Sequence, residues 1–263
     1  MIFPIPRLFP TRFKIFVGDI VCHPLVGRAL AALYGNRFSI YGLKIDTNNE
    51  NIGPKTKAGI FWHIYESAEV RFVRKYLRPE FDVIEFGSSL GVISCLARKI
   101  VQPDRKLICL EANPSLARQT ELNLKTNGFT NYHVLNRAID YQPLPESVVH
   151  FTFGASNTTG KVSTAAEQGA GLLVSKTTLG ALRAEFKVEE FALICDIEGS
   201  EAGLLKYDGA ALKNCRQLLI ELHETQFEGS NFTVEELTSQ ILSLGFSLTA
   251  RYSKVFVFEK CSQ

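Results

Sequence analysis

The chain has 263 residues, of which 46% are hydrophobic and 21% charged, a balance that is typical of a globular protein with a large core and argues against disorder. The formal net charge is only +2, so we expect no nucleic-acid partner, because phosphate binding usually needs a clustered basic face. The six cysteines are scattered without metal-ligand spacing, which suits a reducing cytoplasm and argues against structural zinc and a disulfide framework.

The first 50 residues form a lead segment, which we expect to be an N-terminal extension of a single domain over residues 51–263. Prolines interrupt its apolar start, and the stretch 15–34 carries charged residues, so the pattern predicts neither a signal peptide nor a transmembrane span. Basic residues dominate before Asp46. Peripheral contact with a membrane therefore stays open as an alternative to a solvated basic edge, and the pattern indicates no oligomeric state.

After the lead segment, the apolar pattern alternates between helical and strand periodicity. The predicted helices span residues 66–77, 91–101, 114–127 and 234–244, and the predicted strands span residues 81–86, 106–110, 132–139, 191–197, 217–222, 246–252 and 255–260. A hairpin over residues 150–163, with its turn at residues 157–160, is predicted between the third and fourth of these strands. The alternation predicts an α/β fold, Rossmann-like, with a mostly parallel sheet, helices on both faces and an antiparallel pair at the end.

A glycine-rich turn follows the first of these strands, in the run Glu85-Phe86-Gly87-Ser88-Ser89-Leu90-Gly91. Gly87 allows a tight turn, and Gly91 lets the next helix pack closely, so that backbone N–H groups can meet a polar ligand. A dinucleotide fold prefers a third glycine and a pyrophosphate here, whereas Glu85 repels phosphate and suits the amino group of a methionine moiety. Glu111, at the end of the second strand, is placed for the ribose of either cofactor. The turn thus predicts S-adenosylmethionine, with a nicotinamide-dependent oxidoreductase as the less favoured alternative.

Acidic residues follow the fourth and fifth strands, where an open α/β sheet binds its ligands. Asp196 lies at the end of the fourth strand and Glu198 directly after it, and Glu221 and His223 come at the end of the fifth. Methyl transfer to a hydroxyl needs a general base, or a metal that lowers the pKa of the hydroxyl. His223 has the unperturbed pKa of such a base, although a structural strand-end histidine is an equal alternative. We therefore expect a catalytic set of Asp196, Glu198 and His223, while oxygens of Asp196, Glu198 and Glu221 could hold Mg²⁺.

Most of the chain is similar to one family. The runs that carry the similarity are YESAEVRFVRKYL, DVIEFGSSLGVIS, LICLEANP, LNLKTNG, HVLNRAID, FTFGASNTTGKVS, ICDIEGSEAGLL and LLIELHE. In order and spacing they resemble the FkbM family of S-adenosylmethionine-dependent methyltransferases, and residues 196–201 resemble its D-x-E-G-x-E signature. Two positions depart from the family pattern: Ser89 replaces a glycine or asparagine of the turn, and Gly180 stands where aspartate is common.

The resemblance implies a class I methyltransferase fold with seven strands, one of them antiparallel. It implies cofactor contacts at Glu85, Gly87, Ser88, Ser89, Gly91, Glu111, Ala112, Ala138 and Asp196. Within this set, Glu111 is implied to bind the ribose, Ala138 or a neighbour to lie beside the adenine, and Asp196 to lie near the reactive centre. We therefore predict an O-methyltransferase that acts on a hydroxyl of a sugar, glycan or glycosylated metabolite. The alternative is a catalytically silent S-adenosylmethionine-binding module that acts through a partner or a membrane.

Overall fold

The computed structural model describes residues 18, 20–141, 148–152, 161–162 and 172–261. The helices of this part are, in chain order, α1 (Pro24–Tyr34), α2 (Pro54–Phe61), α3 (Ser67–Tyr76), α4 (Val92–Ile100), α5 (Pro114–Thr126), α6 (Leu179–Phe186), α7 (Glu201–Tyr207) and α8 (Val234–Ser243), with a 3₁₀-helix at Ala211–Asn214. The strands are β1 (Arg37–Ile40), β2 (Leu43–Asp46), β3 (Asp82–Phe86), β4 (Leu107–Leu110), β5 (Tyr132–Leu135), β6 (Ala138–Ile139), β7 (Val148–Thr152), β8 (Lys161–Val162), β9 (Leu172–Thr177), β10 (Phe191–Cys195), β11 (Cys215–Glu221), β12 (Thr225–Phe227), β13 (Ser230–Phe232), β14 (Phe246–Tyr252) and β15 (Val255–Lys260). Each helix within these ranges is too short or too polar to cross a membrane.

A seven-stranded sheet forms the centre of the molecule, with the strand order β14-β15-β11-β10-β3-β4-β5. Strands β5, β4, β3, β10 and β11 pair in parallel, whereas β15 is antiparallel to both of its neighbours. The chain runs outward from β3 to β5 and then returns to β10 on the other side of β3. This Rossmann-like arrangement with one antiparallel strand confirms the predicted fold class. The reversal brings the carboxyl ends of β3 and β10 side by side, which is where such sheets bind ligands.

Alternate residues of the strands face two separate hydrophobic layers. In β3, Val83 packs with residues of α3, α4 and α5, whereas Ile84 and Phe86 pack with residues of α6, α7 and α8. Both faces of the sheet are covered, which explains why the central strands are apolar along their whole length instead of alternating with polar residues.

The predicted third strand, residues 132–139, is divided in the structure. Its first half is β5 of the central sheet, and its second half is β6, which pairs with β9 in a separate four-stranded sheet of order β6-β9-β7-β8. Between the halves, the side-chain amide of Asn136 donates to the carbonyl oxygens of Glu111 and Ala112, at 2.9 and 2.8 Å. These bonds anchor the chain beside the end of β4 and separate β5 from β6. Strands β7 and β8 pair as the predicted hairpin, while its predicted turn at 157–160 lies outside the described residues.

The later part of the lead segment packs against the domain. Strands β1 and β2 form an antiparallel hairpin that no sequence pattern had indicated. Asn123 of α5 and Asn127 directly after α5 bind its second strand: the N–H of Asp46 donates to Asn123 and the N–H of Lys44 donates to Asn127, both at 2.8 Å. The division into an extension over residues 1–50 and a domain over residues 51–263 remains a prediction.

Candidate active site

The glycine-rich turn connects β3 to α4 at the point where the strand order reverses. Its backbone takes positive φ angles at Gly87 (82°), Ser89 (48°) and Gly91 (85°). A Cβ at position 87 would lie 2.0 Å from the carbonyl oxygen of Asp196, and one at position 91 would lie 2.9 Å from the Cα of Thr120. Only glycine fits both positions, because a side chain would be strained in φ and would collide with backbone.

Ser89 adopts a backbone conformation that is uncommon for a residue with a side chain, and three contacts hold it there. Its N–H donates to Oε2 of Glu111 (2.7 Å), its carbonyl oxygen accepts from Oγ1 of Thr120 (2.8 Å), and its hydroxyl lies 3.1 Å from that of Tyr65. The neighbouring Ser88 is buried, with its hydroxyl 3.2 Å from Oγ1 of Thr120. The residue that departs from the family pattern is therefore integrated into the turn.

Glu111 lies directly after β4, beside the turn. While its Oε2 binds Ser89, its Oε1 accepts from the N–H of Asn113 at 2.8 Å. A carboxylate oxygen accepts more than one hydrogen bond, so both oxygens keep capacity for a ligand hydroxyl. The next residue, Ala112, packs in a small apolar cluster with Ala138. The proposed ribose contact is thus continuous, through Ala112, with Ala138, which was expected beside the adenine.

A pocket lies beside the turn, at the carboxyl ends of β3, β10 and β11. Its polar lining consists of five acidic side chains, those of Glu66, Glu69, Glu85, Asp196 and Glu221. Among the described residues that line it there is no lysine or arginine. Neighbouring carboxylates oppose one another's ionisation. A pocket with this lining favours a positively charged ligand.

The pKa values of these acids show the electrostatic cost of the arrangement. Burial raises the pKa of Glu85 to about 7, although Ser94 donates a hydrogen bond of 2.5 Å to its carboxylate. Burial, together with the charges of Glu221 and Glu198, raises the pKa of Asp196 to about 8. A bound cation would favour the charged form of each group, so the pKa values of these carboxyl groups depend on the charge of the ligand in the pocket.

Tyr65 and Glu66 border the pocket from the segment before α3. Burial raises the pKa of Glu66 well above its usual value, against a hydrogen bond from Tyr65. Burial likewise raises the pKa of Glu69 to about 7, and Glu69 shares a hydrogen bond with Glu221. Neither Glu66 nor Glu69 was among the predicted site residues. The signal in the sequence is the Tyr-Glu pair immediately before an amphipathic helix.

His223 lies next to this pocket, against several carboxyl groups. Its Nδ1 is 3.0 Å from Oε1 of Glu201, and its Nε2 is 3.3 Å from Oε1 of Glu221 and 3.7 Å from Oε2 of Glu198. Burial by itself lowers the pKa of His223, but the hydrogen bonds to Glu201 and Glu221 outweigh it and raise this pKa to about 10. His223 is therefore an imidazolium at neutral pH in the ligand-free chain.

Two carboxylate oxygens of this cluster differ from the others in their hydrogen bonding. Oδ1 of Asp196 and Oε2 of Glu201 are buried and have no hydrogen-bond partner among the described residues. Glu201 is the third acid of the D-x-E-G-x-E run and is 0% exposed, yet it was not predicted as a site residue. A buried acceptor without a donor is costly, so Oδ1 of Asp196, which lines the pocket, is an acceptor that a ligand could satisfy.

The predicted catalytic and metal-binding residues lie close together, but the three side chains best placed to share a metal ion differ from the predicted three. Asp196, Glu221 and His223 each offer a ligand atom, and these atoms lie within 4.8 Å of one another. His223 thus takes the place that Glu198 has in the predicted trio of Asp196, Glu198 and Glu221. Its Nδ1 is held by Glu201, which is the usual second partner of a metal-binding histidine. His223 would have to release a proton to serve as a ligand, because a metal binds the neutral imidazole, and the Mg²⁺ prediction remains a proposal.

Comparison with known proteins identifies a protein family that the chain matches. A model of the methyltransferase FkbM domain matches residues 68–248 of the chain. No curated protein matches the chain in sequence.

Several solved structures are similar in fold at low sequence identity. The crystal structure of a methyltransferase from Pyrococcus furiosus has a TM-score of 0.45 and 14% identity, with 90% of this chain and 95% of that chain covered. The crystal structure of a SAM dependent methyltransferase from Aquifex aeolicus has a TM-score of 0.38 and 14% identity, with 73% and 89% covered. The crystal structure of EvdMO1 has a TM-score of 0.43 and 13% identity, with 90% of this chain covered, and this chain spans 47% of that protein.

Proposed function

The chain belongs to the FkbM methyltransferase family, and we propose that it transfers the methyl group of S-adenosylmethionine to a hydroxyl of a sugar, glycan or glycosylated metabolite. The observation that carries the proposal is the pocket lined by acidic side chains beside the glycine-rich turn. S-adenosylmethionine carries an ammonium and a sulfonium, whereas a nicotinamide cofactor carries a pyrophosphate. Glu66, Glu85 and Asp196 suit the former and repel the latter.

The residues of the turn fit this cofactor. Glu111 keeps acceptor capacity for two ribose hydroxyls, and Ala112 with Ala138 offers an apolar surface for a base. Glu66 and Glu85 line the same pocket as Gly87, and their carboxyl groups would hold the ammonium group there. When bound, S-adenosylmethionine supplies a methyl group on a positively charged sulfur, which is the electrophile that a hydroxyl oxygen attacks.

For proton transfer, we favour Asp196 over the predicted base His223. His223 already carries a proton at neutral pH, because Glu201 and Glu221 raise its pKa. Asp196 has a buried oxygen without a donor and a pKa of about 8, which is close to the pH at which a general base works best. In this proposal Asp196 accepts the hydroxyl proton, and the imidazolium of His223 holds Glu221 and Glu198 in place as the acceptor binds.

A sugar is the acceptor class that the lining supports. Carboxylates such as Glu69 and Glu221 accept hydrogen bonds from pairs of hydroxyls. The aromatic side chains in the described lining of the pocket are those of Phe72 and Phe86 alone, so the lining offers hydrogen-bond acceptors more than aromatic surface. The FkbM family resemblance points to the same chemistry. Screening a panel of sugars and glycans with methyl-labelled cofactor tests this part.

A metal-assisted route is the second candidate, because Asp196, Glu221 and His223 could hold a divalent cation. A chelator titration during turnover separates the two routes. Loss of activity that added Mg²⁺ or Mn²⁺ restores would support the metal, while full activity in excess chelator would leave Asp196 as the proton acceptor.

The proposal predicts separate effects of two substitutions. Glu111→Ala removes the ribose acceptor and should weaken S-adenosylhomocysteine binding by about tenfold or more, since a hydrogen bond to a charged group contributes about 1.5–3 kcal/mol. Asp196→Asn keeps the shape of the side chain and should lower kcat by about a hundredfold or more, while it weakens that affinity less than Glu111→Ala does. Calorimetry with S-adenosylhomocysteine and a methyl-transfer assay measure the two quantities.

Glu121→Ala, on the exposed side of α5, is the matched control and should change neither quantity. No binding of S-adenosylhomocysteine to the folded chain would refute the cofactor assignment. Cofactor binding without transfer to any acceptor in a broad screen would favour the catalytically silent module instead.

A further inference from the structure

Two acidic side chains lie on the β11 side of the pocket, away from the glycine-rich turn. In the central sheet β10 separates β11 from β3, so the end of β11 is two strand spacings, about 10 Å, from the end of β3. Glu221 ends β11, and Glu69 of α3 shares a hydrogen bond with its carboxyl group. Both residues line the pocket. With a cofactor at the turn, Glu69 and Glu221 are on the side that remains for the acceptor.

The charges around the pocket do not balance. Among the described residues, the five acids of the lining and two further acids at His223 face the imidazolium of His223. The described lining contains no lysine or arginine, and Lys254, whose charge acts on Glu221, is exposed and lies outside that lining. S-adenosylmethionine carries an ammonium, a sulfonium and a carboxylate, so it adds only one net positive charge. Carboxylates that are partly removed from water need a cation nearby, so the β11 side of the pocket favours an acceptor that brings one.

A buried oxygen in the same pocket points to a ligand that donates hydrogen bonds. Oδ1 of Asp196 is buried without a hydrogen-bond partner among the described residues, and a donor group of a ligand would satisfy it. Ligand atoms of Asp196, Glu221 and His223 lie within 4.8 Å of one another. Neighbouring substituents of one sugar ring can therefore reach both carboxyl groups. A hydroxyl at Asp196 and a cationic group at Glu221 would satisfy the free oxygen and reduce the excess of negative charge.

We propose that the acceptor is an amino sugar, and that Glu69 and Glu221 bind its protonated amino group beside the hydroxyl that is methylated. The inference rests on the proposed function and narrows its acceptor class. Hydrogen bonds from an ammonium to a carboxylate are charge-assisted, and they are stronger than those from a neutral hydroxyl. An ammonium has no lone pair and cannot accept a methyl group, so the hydroxyl beside Asp196 remains the acceptor.

Binding of matched sugars to the full chain tests the proposal. Glucosamine, galactosamine and mannosamine are each compared with the N-acetylated form, which keeps the nitrogen without its charge, and with glucose, galactose or mannose. Ligand-observed NMR titrations with S-adenosylhomocysteine present and chelator in excess measure the affinities. At least one amino sugar should bind about tenfold or more tightly than both of its uncharged counterparts, because a hydrogen bond between charged groups contributes more than a neutral one.

A substitution on α3 tests the role of Glu69. Glu69→Gln removes the charge but keeps the shape of the side chain, so it should remove most of the preference for the amino sugar. The affinities for the uncharged sugars and for S-adenosylhomocysteine should stay nearly the same, which also shows that the variant is folded. Glu224→Gln, at an exposed acid three residues after β11 and outside the described lining, is the matched control and should keep the preference.

Equal binding of the charged and uncharged sugars, or a preference that Glu69→Gln retains, would overturn the proposal. Neutral sugars that bind as tightly as amino sugars once Mg²⁺ replaces the chelator would also overturn it, since a metal would then supply the positive charge. An N-methylated product would show that the amine is not held as an ammonium. A chain that binds S-adenosylhomocysteine but none of the sugars would overturn this inference alone, whereas a chain that prefers amino sugars without binding S-adenosylhomocysteine would refute only the cofactor assignment.

Discussion

Single buried carboxyl groups line the pocket beside the glycine-rich turn, and their burial lowers the stability of the protein. Glu85 is 2% exposed in the core layer beside α4, and burial raises its pKa from 4.5 to about 7. Between these two pH values the folded state binds more protons than the unfolded state, so the free energy of unfolding falls as pH rises. A shift of this size corresponds to about 3 kcal/mol once the pH exceeds the folded pKa.

Glu85→Gln should therefore stabilise the protein at about pH 8 by up to about 3 kcal/mol and leave its stability nearly unchanged below about pH 4.5. Urea unfolding followed by circular dichroism at both pH values measures the difference. The same variant should bind S-adenosylhomocysteine more weakly, because it loses a charge that suits the ammonium group. Glu189→Gln, at an exposed position, serves as the control. A stabilisation that is equal at both pH values would mean that Glu85 does not titrate in this range.

The departure from the family pattern at Gly180 also has a local cause. The N–H of Gly180 donates to Oδ2 of Asp208 (3.2 Å), and a Cβ at position 180 would lie 3.1 Å from Oδ1 of Asp208. Tyr141 donates to the same carboxylate at 2.8 Å. An aspartate at position 180 would bring a second carboxylate against Asp208, so glycine suits this chain.

At the scale of elements, the glycine-rich turn links β3 to the end of β10. Gly87 lies against the backbone of Asp196, and the N–H of Asp196 in turn donates to the carbonyl oxygen of Phe86 at 3.0 Å. The cofactor turn and the proposed proton acceptor are therefore in direct backbone contact. A change in the shape of the turn must move Asp196.

Gly87→Ala should consequently reduce both S-adenosylhomocysteine affinity and methyl transfer, and should destabilise the fold by more than the 1–2 kcal/mol that a left-handed backbone alone costs an alanine. Gly128→Ala is the matched comparison. Gly128 has a φ of 72° but no atom within 4 Å of an added Cβ, so only the conformational cost of about 1–2 kcal/mol applies there. Similar effects of the two substitutions on ligand binding would contradict the contact between Gly87 and Asp196 as the cause.

At the scale of the whole molecule, α5 joins the lead hairpin to the cofactor turn. Asn123 accepts from the N–H of Asp46, and its amide donates to the carbonyl oxygens of Asp46 (3.1 Å) and Leu90 (2.8 Å). Leu90 belongs to the turn, and Asp46 ends β2. One buried side chain thus holds the hairpin and the turn on the same helix.

Asn123→Ala should destabilise the protein by about 2–3 kcal/mol, because it leaves buried backbone groups without partners, and should also weaken S-adenosylhomocysteine binding through the turn. Asn127→Ala removes the hydrogen bonds to Lys44 but leaves those to the turn intact, so it should lower stability without loss of affinity. Denaturant unfolding and calorimetry on the two variants check this. Equal affinities for both variants would show that the turn holds its shape without Asn123.

The local pattern of the sequence was sufficient for the fold class and for many elements. Apolar β-branched runs identified the strands of the central sheet, and the capping box at Thr233, which the structure contains, marked the start of α8. The glycines of the turn and Glu111 were also recognisable, because their roles depend on backbone conformation and on position at a strand end. These features depend on residues that are close in the chain.

What only the tertiary structure decided is the set of contacts between distant segments. Packing between elements far apart in sequence brings Glu66 and Glu69 next to Asp196. It also pairs Glu201 with His223, and it lets Asn136 separate β5 from β6. The charge state of His223 follows from those contacts, since the hydrogen bonds that His223 donates to Glu201 and Glu221 raise its pKa. The sequence by itself determined where a glycine-rich turn and acidic strand ends occur. The folded arrangement decided which acids share one pocket and that Oδ1 of Asp196 is buried there without a hydrogen-bond partner among the described residues.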